Sequence, residues 1–310
     1  MGELAKRIDC DVLVVGGGIN GAGIARDAAG RGLRVGLCEK DDLAQHTSSA
    51  SSKLVHGGLR YLEQYHFGLV RKALAEREVL LKSAPHITRP LRFLMPQAAG
   101  APGQRPGWMI RAGLFLYDHL ASRDFLPPSG TVSLRASPAG AALQRQFVKA
   151  YAYSDAWVDD ARLVVLAALD ARERGATILT RTRCVRVRRD ARRWEADLHG
   201  PGGDVHVHAR CLVNAAWPWA GSFMQTAGAG PARAMRLVKG SHIVVPRLFD
   251  GDHACLLQQP DGRIVFALPY EGAFTLVGTT DVDHDAKDLD RVASSPAETA
   301  YLCDAVNRCF

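Results

Sequence analysis

Residues 11–39 run from an apolar stretch, Asp11–Val15, through a glycine-rich turn and a helix-compatible segment to a second apolar run that ends in Glu39. This order predicts a buried strand, a tight turn, a helix and a second strand, the opening unit of a doubly wound α/β fold. Gly16 allows the sharp exit from the first strand, Gly18 lets backbone approach a pyrophosphate, and Gly21 permits close packing of helix on sheet. The helix start at Ile19 and Asn20 offers free N–H groups and a positive dipole end to phosphates. Glu39, at the tip of the second strand, stands where a carboxylate accepts hydrogen bonds from a ribose diol. A Gly-x-Gly-x-x-Gly turn by itself is a common loop. With the strand, the helix and the acid in place, it predicts a dinucleotide site.

Residues 47–62 narrow the choice of dinucleotide. Five small hydroxyl residues (Thr47, Ser48, Ser49, Ser51 and Ser52) precede Lys53, Leu54, a His56-Gly57-Gly58 turn and the pair Arg60-Tyr61. Nicotinamide enzymes rarely follow the second strand with such a run. In a flavoenzyme the chain must pass beside the ribityl and isoalloxazine parts of FAD, where hydroxyls bond to phosphate and ribityl oxygens and glycines admit the ring edge. A solvated Ser-rich loop before an ordinary helix is the alternative.

At this point the chain resembles the FAD-dependent glycerol-3-phosphate dehydrogenases, respiratory flavoenzymes that oxidise glycerol 3-phosphate to dihydroxyacetone phosphate. The matching segments are residues 16–25, 47–65, 73–82, 153–163, 239–246 and 276–281, spread over nearly the whole chain and in the family's order. The resemblance implies FAD as cofactor and a cofactor set of Gly16, Gly18, Ile19, Asn20, Gly21, Glu39, Ser48, Ser52, Lys53, Leu54, His56, Gly57 and Val185. It implies an α/β fold: a Rossmann-like FAD-binding domain of the glutathione-reductase/D-amino-acid-oxidase kind, with an antiparallel β-sheet substrate or cap domain. No metal site is expected.

Two departures from the family pattern stand out. Trp217 occupies a position where the family carries glycine, so an indole crowds the dinucleotide path or shifts it. The chain also stops at Phe310, whereas family members continue with further substrate-binding cations, a glycine-rich return over the flavin and a helical C-terminal domain. The resemblance therefore implies an incomplete substrate site.

The 310 residues, 47% of them apolar, suffice for a large core and suggest about two domains. No apolar run reaches the roughly 18 residues that a spanning helix requires. Residues 1–7 lead into the first strand with no secretory pattern, and Lys6 stands where a myristoylation signal after Gly2 would need Ser or Thr. The seven cysteines, at positions 10, 38, 184, 211, 255, 303 and 309, form no Cys-x-x-Cys pair. Reduced thiols in a cytoplasmic protein are expected.

The net charge of +7 raises nucleic acid as a partner. The dense cluster Arg181, Arg183, Arg186, Arg188, Arg189, Arg192 and Arg193 lies on a strand and turn, with Val185 and Val187 expected inward and only Trp194 as a stacking aromatic. A solvated hairpin is the reading adopted, and nucleic acid is set aside. A basic face toward anionic phospholipid is the next choice.

Residues 69–83 follow a helical period and stop before Pro85. From Pro90 to about 150, with Pro96, Pro102, Pro106, Pro127 and Pro128, the chain reads as irregular, apart from a helical apolar segment at 108–117 suited either to the core or to a membrane surface. A helix is expected after Asp159 and Asp160, acids that favour its N-terminal dipole. Strands follow at 176–180 and 210–216, then β-like runs at 243–246, 263–269 and 275–279 separated by Asp-Gly and Glu-Gly turns. The expected division is residues 1–95 and 151–235 for the FAD-binding domain, 96–150 for an irregular insertion and 236–310 for the start of the cap sheet.

Oxidising a secondary alcohol requires hydride transfer to the flavin and a base for the hydroxyl proton. Arg60 is the phosphate candidate, because a guanidinium binds phosphate oxygens bidentately, and Tyr61 beside it donates a hydrogen bond. The resemblance places this pair in the substrate pocket. His242 is chosen as proton acceptor, with a buried structural histidine as the alternative and His56, placed against the flavin, as competitor. The resemblance puts Thr279, Thr280 and Asp281 near the active site; a strand-end cap is the other possibility. The implied partners are glycerol 3-phosphate, a quinone acceptor and the inner face of the cytoplasmic membrane, held peripherally, with a homodimer left open. An oxygen-using oxidase and a catalytically silent FAD-binding protein are the competing functions.

Overall fold

The computed structural model describes residues 6–98, 100, 104–190, 192–226, 235–285 and 289–310. Gly2 and Pro102, which figured in the sequence expectations, lie outside the described residues. Along the chain, β1 (Lys6–Val15), α1 (Ile19–Gly30) and β2 (Val35–Cys38) come first. Next are β3 (Leu54–Val55), α2 (Phe67–Ser83), β4 (Thr88–Ala98), α3 (Gly107–His119), β5 (Gly130–Ser133) and β6 (Phe147–Val158). Then follow α4 (Asp160–Glu173), β7 (Thr177–Leu179), β8 (Arg183–Arg189), β9 (Trp194–Gly200), β10 (Gly203–Asn214) and α5 (Ala220–Thr226). The last elements are β11 (Val238–Lys239), β12 (His242–Pro246), β13 (Ala254–Gln258), β14 (Ile264–Tyr270), β15 (Phe274–Gly278), β16 (Val282–Asp283) and α6 (Pro296–Asn307).

The chain divides into two units. The first comprises residues 1–51, 159–237 and 284–290. Its six-stranded sheet has the order β7-β2-β1-β10-β9-β8, with β7, β2, β1 and β10 parallel and β9 and β8 returning antiparallel. Leu13 and Val14 on β1 and all of β2 are buried, as expected for parallel strands covered on both faces. Helix α1 presents Ala22, Ala25, Ala28 and Ala29 inward, and these short side chains let it lie close to the sheet. Asp159 caps α4 by accepting the Arg162 N–H at 3.1 Å, with Asp160 in the first turn.

The expected inward pair Val185 and Val187 is half right. Val187 is buried, but Val185 is 48% exposed. Opposite β9, Cys184 pairs Leu198 and Arg186 pairs Asp197, so Val185 is the extra residue of a β-bulge and the alternation breaks there.

The second unit comprises residues 52–158, 238–283 and 291–310. Its main sheet runs β12-β15-β14-β13-β4-β6-β3, with β5 alongside β6. It is antiparallel except for β13 and β4, which are parallel. Residues 52–95 were expected in the dinucleotide-binding domain, yet they belong here. β3 pairs with β6, and Val70 and Leu74 of α2 share a core with Phe93 of β4 and Tyr153 of β6.

Nor is 96–150 an irregular insertion. β4 and β6 form one long antiparallel pair, from Thr88 opposite Val158 to Ala98 opposite Phe147. Two of the prolines that suggested irregularity, Pro90 and Pro96, lie within β4, which β13 meets only at Phe93 and Leu94. Both fall outside that contact, so no ladder donor is missing on the β13 side. Helix α6 opens with a reciprocal capping box between Ser295 and Glu298 and buries Leu302, Ala305 and Val306 against this sheet.

Candidate functional site

In the first unit the carboxyl ends of β1, β2 and β10 meet at a cleft. Gly16 leaves β1 at φ 115°, a conformation that suits glycine, and a Cβ there would collide with the Ala215 carbonyl oxygen. A Cβ at Gly21 would strike the Gly16 carbonyl, which is the physical basis of its close packing on the turn. Gly18 caps α1 in an extended conformation with no side-chain hydrogen bond, leaving that helix end without an internal anion. Ser48 Oγ accepts the Ile19 N–H at 3.0 Å, and a Cβ at Gly18 would come within 2.9 Å of that hydroxyl.

Glu39 is buried, 8% exposed, and lines the cleft. Its two oxygens accept the Gly17 N–H at 2.6 Å and the Asp41 N–H at 2.9 Å. A carboxylate has about four lone-pair sites, so two remain for a diol. The other wall carries residues that sequence reasoning missed. Lys40 Nζ sits 3.6 Å from the centre of the Trp219 ring, and His46 meets the same indole edge-on at 4.6 Å. Trp217 also lines the cleft and is 47% exposed, so its indole stands on the wall.

Thr182, Arg183 and Cys184, which precede the bulge, line this wall, and Val185 does not. Cys38 faces Cys184, and the contact with that thiol together with burial pushes its pKa well up, keeping it protonated. Glu39, Asp41 and His46 bring one ligand atom each within 4.8 Å of one another. The Glu39 oxygens are engaged by backbone N–H groups and His46 pairs with Asp41 at 2.7 Å, so the trio is satisfied internally.

The second unit gathers the other candidates. His242 opens β12 opposite Gly278, whose missing side chain leaves room for the imidazole, since a Cβ there would collide with the ring. Its Nε2 lies 2.8 Å from Ser52 Oγ. Burial, and then the Lys53 charge, pull the His242 pKa down, so the ring is neutral at pH 7. Lys53 itself adopts φ 56°. Leu54 belongs to β3, while His56 is exposed and Gly57 buried.

Arg60 and Tyr61 follow on an exposed 3-10 turn (Leu59–Gln64) that starts from Gly58 at φ 74°. The Tyr61 ring covers Gly58, where a Cβ would clash with it. No hydrogen bond joins Arg60 or Tyr61 to His242 among the described residues. Gly57 is required by packing, since a Cβ there would strike Leu74 and the Tyr117 hydroxyl.

Thr280 and Ser241 hydroxyls each donate to Glu298 Oε1 at 2.8 Å, and Lys239 Nζ reaches Glu298 Oε2 at 2.6 Å. These contacts, with Ser295, hold the Glu298 carboxyl far below the usual carboxylate range. They tie the start of β12 to the end of β15 and to α6. Thr280 is thus 3% exposed and engaged in structure.

A glycine turn at the carboxyl ends of parallel strands, an uncapped helix start and a buried acid define the first unit as a dinucleotide-binding domain. The family model for FAD dependent oxidoreductases matches residues 11–310, and the chain belongs to that family. It is 57% identical to a glycerol-3-phosphate dehydrogenase of Pseudomonas aeruginosa, over 97% of this chain and 58% of the relative. It is 53% identical to a D-erythritol 1-phosphate dehydrogenase of Brucella abortus, over 99% of this chain and 61% of the relative. The aerobic glycerol-3-phosphate dehydrogenase of Escherichia coli is 50% identical over 97% of this chain and 59% of its own. The chain therefore spans about three-fifths of the length of these relatives.

Among solved structures, the glycerol-3-phosphate dehydrogenase of Bacillus halodurans complexed with FAD superposes with a TM-score of 0.74 at 28% identity, covering 97% of this chain and 53% of that one. The L-alpha-glycerophosphate oxidase of Mycoplasma pneumoniae with FAD bound shares the fold, with a TM-score of 0.74 at 18% identity, over 97% of this chain and 78% of that one.

Proposed function

We propose that this chain holds FAD and serves the oxidation of sn-glycerol 3-phosphate to dihydroxyacetone phosphate, with electrons passed on to a quinone. Bound there, FAD would supply the acceptor for the hydride of the carbinol carbon. In the first unit Glu39 would hold the adenosine ribose, and the α1 N-terminus, Gly18 and Ser48 the pyrophosphate. In the second unit Arg60 and Tyr61 would bind the substrate phosphate.

The observation that carries this reading is His242, a half-buried imidazole held neutral and hydrogen-bonded to Ser52. A neutral imidazole has one bare ring nitrogen, which takes the hydroxyl proton directly or through the Ser52 hydroxyl. The names of the Pseudomonas and Escherichia relatives support glycerol 3-phosphate. The Brucella relative supports a second reading, in which the substrate is the longer D-erythritol 1-phosphate.

Both readings are tested by mixing flavin-loaded protein with each substrate without oxygen and following the flavin absorbance. Glycerol 3-phosphate is expected to bleach it faster. Readmitting a quinone or oxygen then separates dehydrogenase from oxidase. Arg60→Ala is expected to keep its flavin but lose this reduction, and Arg60→Lys to recover part of it. An Ala variant reduced at the parental rate removes Arg60 from the phosphate site.

Peripheral association with the inner face of the cytoplasmic membrane, and pairing of two copies, belong to the same proposal. No helix among the described residues is long and apolar enough to cross a membrane. Helix α3 buries Ile110, Leu114 and Tyr117 but exposes Trp108 at 73% and Phe115 at 62%, an apolar face suited to a lipid surface. Arg105 contributes little free charge there, because it pairs with Glu63. Co-sedimentation with anionic vesicles at low and high salt tests the surface, and light scattering the pairing. Protein left in the supernatant at low salt ends the membrane reading.

A further inference from the structure

Two segments that match the family, residues 73–82 and 153–163, gain no role from flavin holding or proton transfer. Their polar residues converge inside the second unit. Arg77 of α2 and Asp155 of β6 are 1% and 2% exposed. The Arg77 guanidinium donates to Asp155 Oδ1 at 2.6 Å and to the Ser154 carbonyl at 3.1 Å, and reaches Glu78 Oε1 at 3.2 Å. Tyr117 of α3, equally buried, donates its hydroxyl to the same Asp155 oxygen at 2.7 Å. That hydroxyl accepts the Gly57 N–H at 2.8 Å, and Asp155 Oδ1 lies 3.3 Å from the same N–H.

Two elements, α3 and β6, thus bring acceptors to one backbone N–H, and α2 backs them through the Arg77–Asp155 pair. That N–H belongs to the turn that bears His56, Arg60 and Tyr61. C-terminal to Gly58 the turn is seated by Leu59 and Leu62 on the core and by the Glu63–Arg105 pair, but before it β3 is only two residues long, and the 3-10 segment is flanked by left-handed residues, Gly58 at φ 74° and Tyr65 at φ 60°. Burial pushes the Asp155 carboxyl up and the Arg77 charge opposes it. Well-packed apolar side chains often match or exceed the stability of such a buried pair. An ion pair between α2 and β6 would dock that helix without Tyr117. The added hydroxyl and its acceptance of Gly57 N–H serve the turn.

We propose that the Arg77–Asp155–Tyr117 array is a positioning device for the substrate-phosphate residues, fixing through Gly57 the turn that presents Arg60 and Tyr61. The proposal rests on Arg60 as the phosphate ligand. None of the three array residues touches substrate; each acts through the backbone of the turn.

Tyr117→Phe keeps the ring in the core and removes only the hydroxyl, and Asp155→Asn is the second, isosteric variant. Amide hydrogen exchange at residues 56–61 is expected to quicken at least about tenfold in either, while the β4–β6 pair stays protected. Glycerol 3-phosphate binding to flavin-loaded protein, read by calorimetry, is expected to weaken about three- to tenfold in Tyr117→Phe. In the Arg60→Ala background the same change is expected to cost clearly less than in the parent, because a positioning residue works only through the groups it positions and only Tyr61 is then left.

Exchange at 56–61 equal to the parent's overturns the inference. So does a loss that multiplies with that of Arg60→Ala, which marks general destabilisation. If Arg60→Ala binds glycerol 3-phosphate as the parent does, the substrate reading falls instead, and the exchange data still decide whether the array holds the turn.

Discussion

Gly17 and Glu39, joined by a hydrogen bond in the first unit, stand 22 positions apart, whereas Ser52 and His242, joined in the second, stand 190 apart. The first site is built from one βαβ unit, so its parts are placed by consecutive dihedral choices and by the rise of a single helix. The second joins residues at β3 and β12, which stand at opposite ends of one sheet's strand order, so it depends on how the whole sheet curls. The difference predicts different responses to substitution. In the first unit a single added carbon breaks the site. In the second the chemistry fails while the frame survives.

The largest effect is expected from Gly21→Val. Its Cβ has no room beside the Gly16 carbonyl, so the helix must lift from the turn at a cost of about 3 kcal/mol or more. Purified protein should carry no flavin absorbance and melt earlier; normal flavin content would remove the close-packing argument.

His242→Gln should keep its flavin and its melting temperature but lower the rate of flavin reduction about 10²- to 10⁴-fold. In the parent the acid limb of that rate should lie below the ordinary histidine range near 6.5, because burial and Lys53 depress the His242 pKa. The sign for stability is the same. The unfolded chain takes up the proton first, so the contribution of His242 is complete above about pH 6.5 and is lost as pH falls through the lower folded value. An acid limb above 6.5 would assign the proton to another group.

Glu39→Ala should weaken FAD binding about tenfold to hundredfold, the worth of a charge-assisted hydrogen bond of roughly 1.5–3 kcal/mol. Flavin retention equal to the parent's in a dilution series would take the ribose away from this carboxylate. Val185→Ala sharpens the contrast from the other end. An exposed bulge residue off the cleft wall should change flavin affinity by no more than about twofold.

The first βαβ unit, α2, α3 and the strands at β12, β14 and β15 were legible in the sequence because each carries a strong local period or a clear punctuation. Helix α6 went unread, although Ser295 and Glu298 have the spacing of a capping box. The misjudged stretch was 96–150, where prolines outweighed the apolar run at 147–158. Proline density reports donors removed from the backbone, and it cannot say whether a neighbouring strand would have used them. Val185 failed for a related reason. Period-two alternation fixes which face a side chain takes only while the register is unbroken, and a bulge leaves little trace in composition.

The sequence by itself determined that a dinucleotide turn opens this chain, that Glu39 ends its second strand and that His242 starts another. Those are consequences of steric limits on glycine and of side-chain period, which act over a few residues. Only the tertiary structure decided that Ser52 belongs to His242, that Trp219 stacks under Lys40 and that Tyr117 holds Gly57. Each of these joins segments separated by tens to hundreds of positions, and strand pairing and core packing, which no local pattern encodes, bring them within reach.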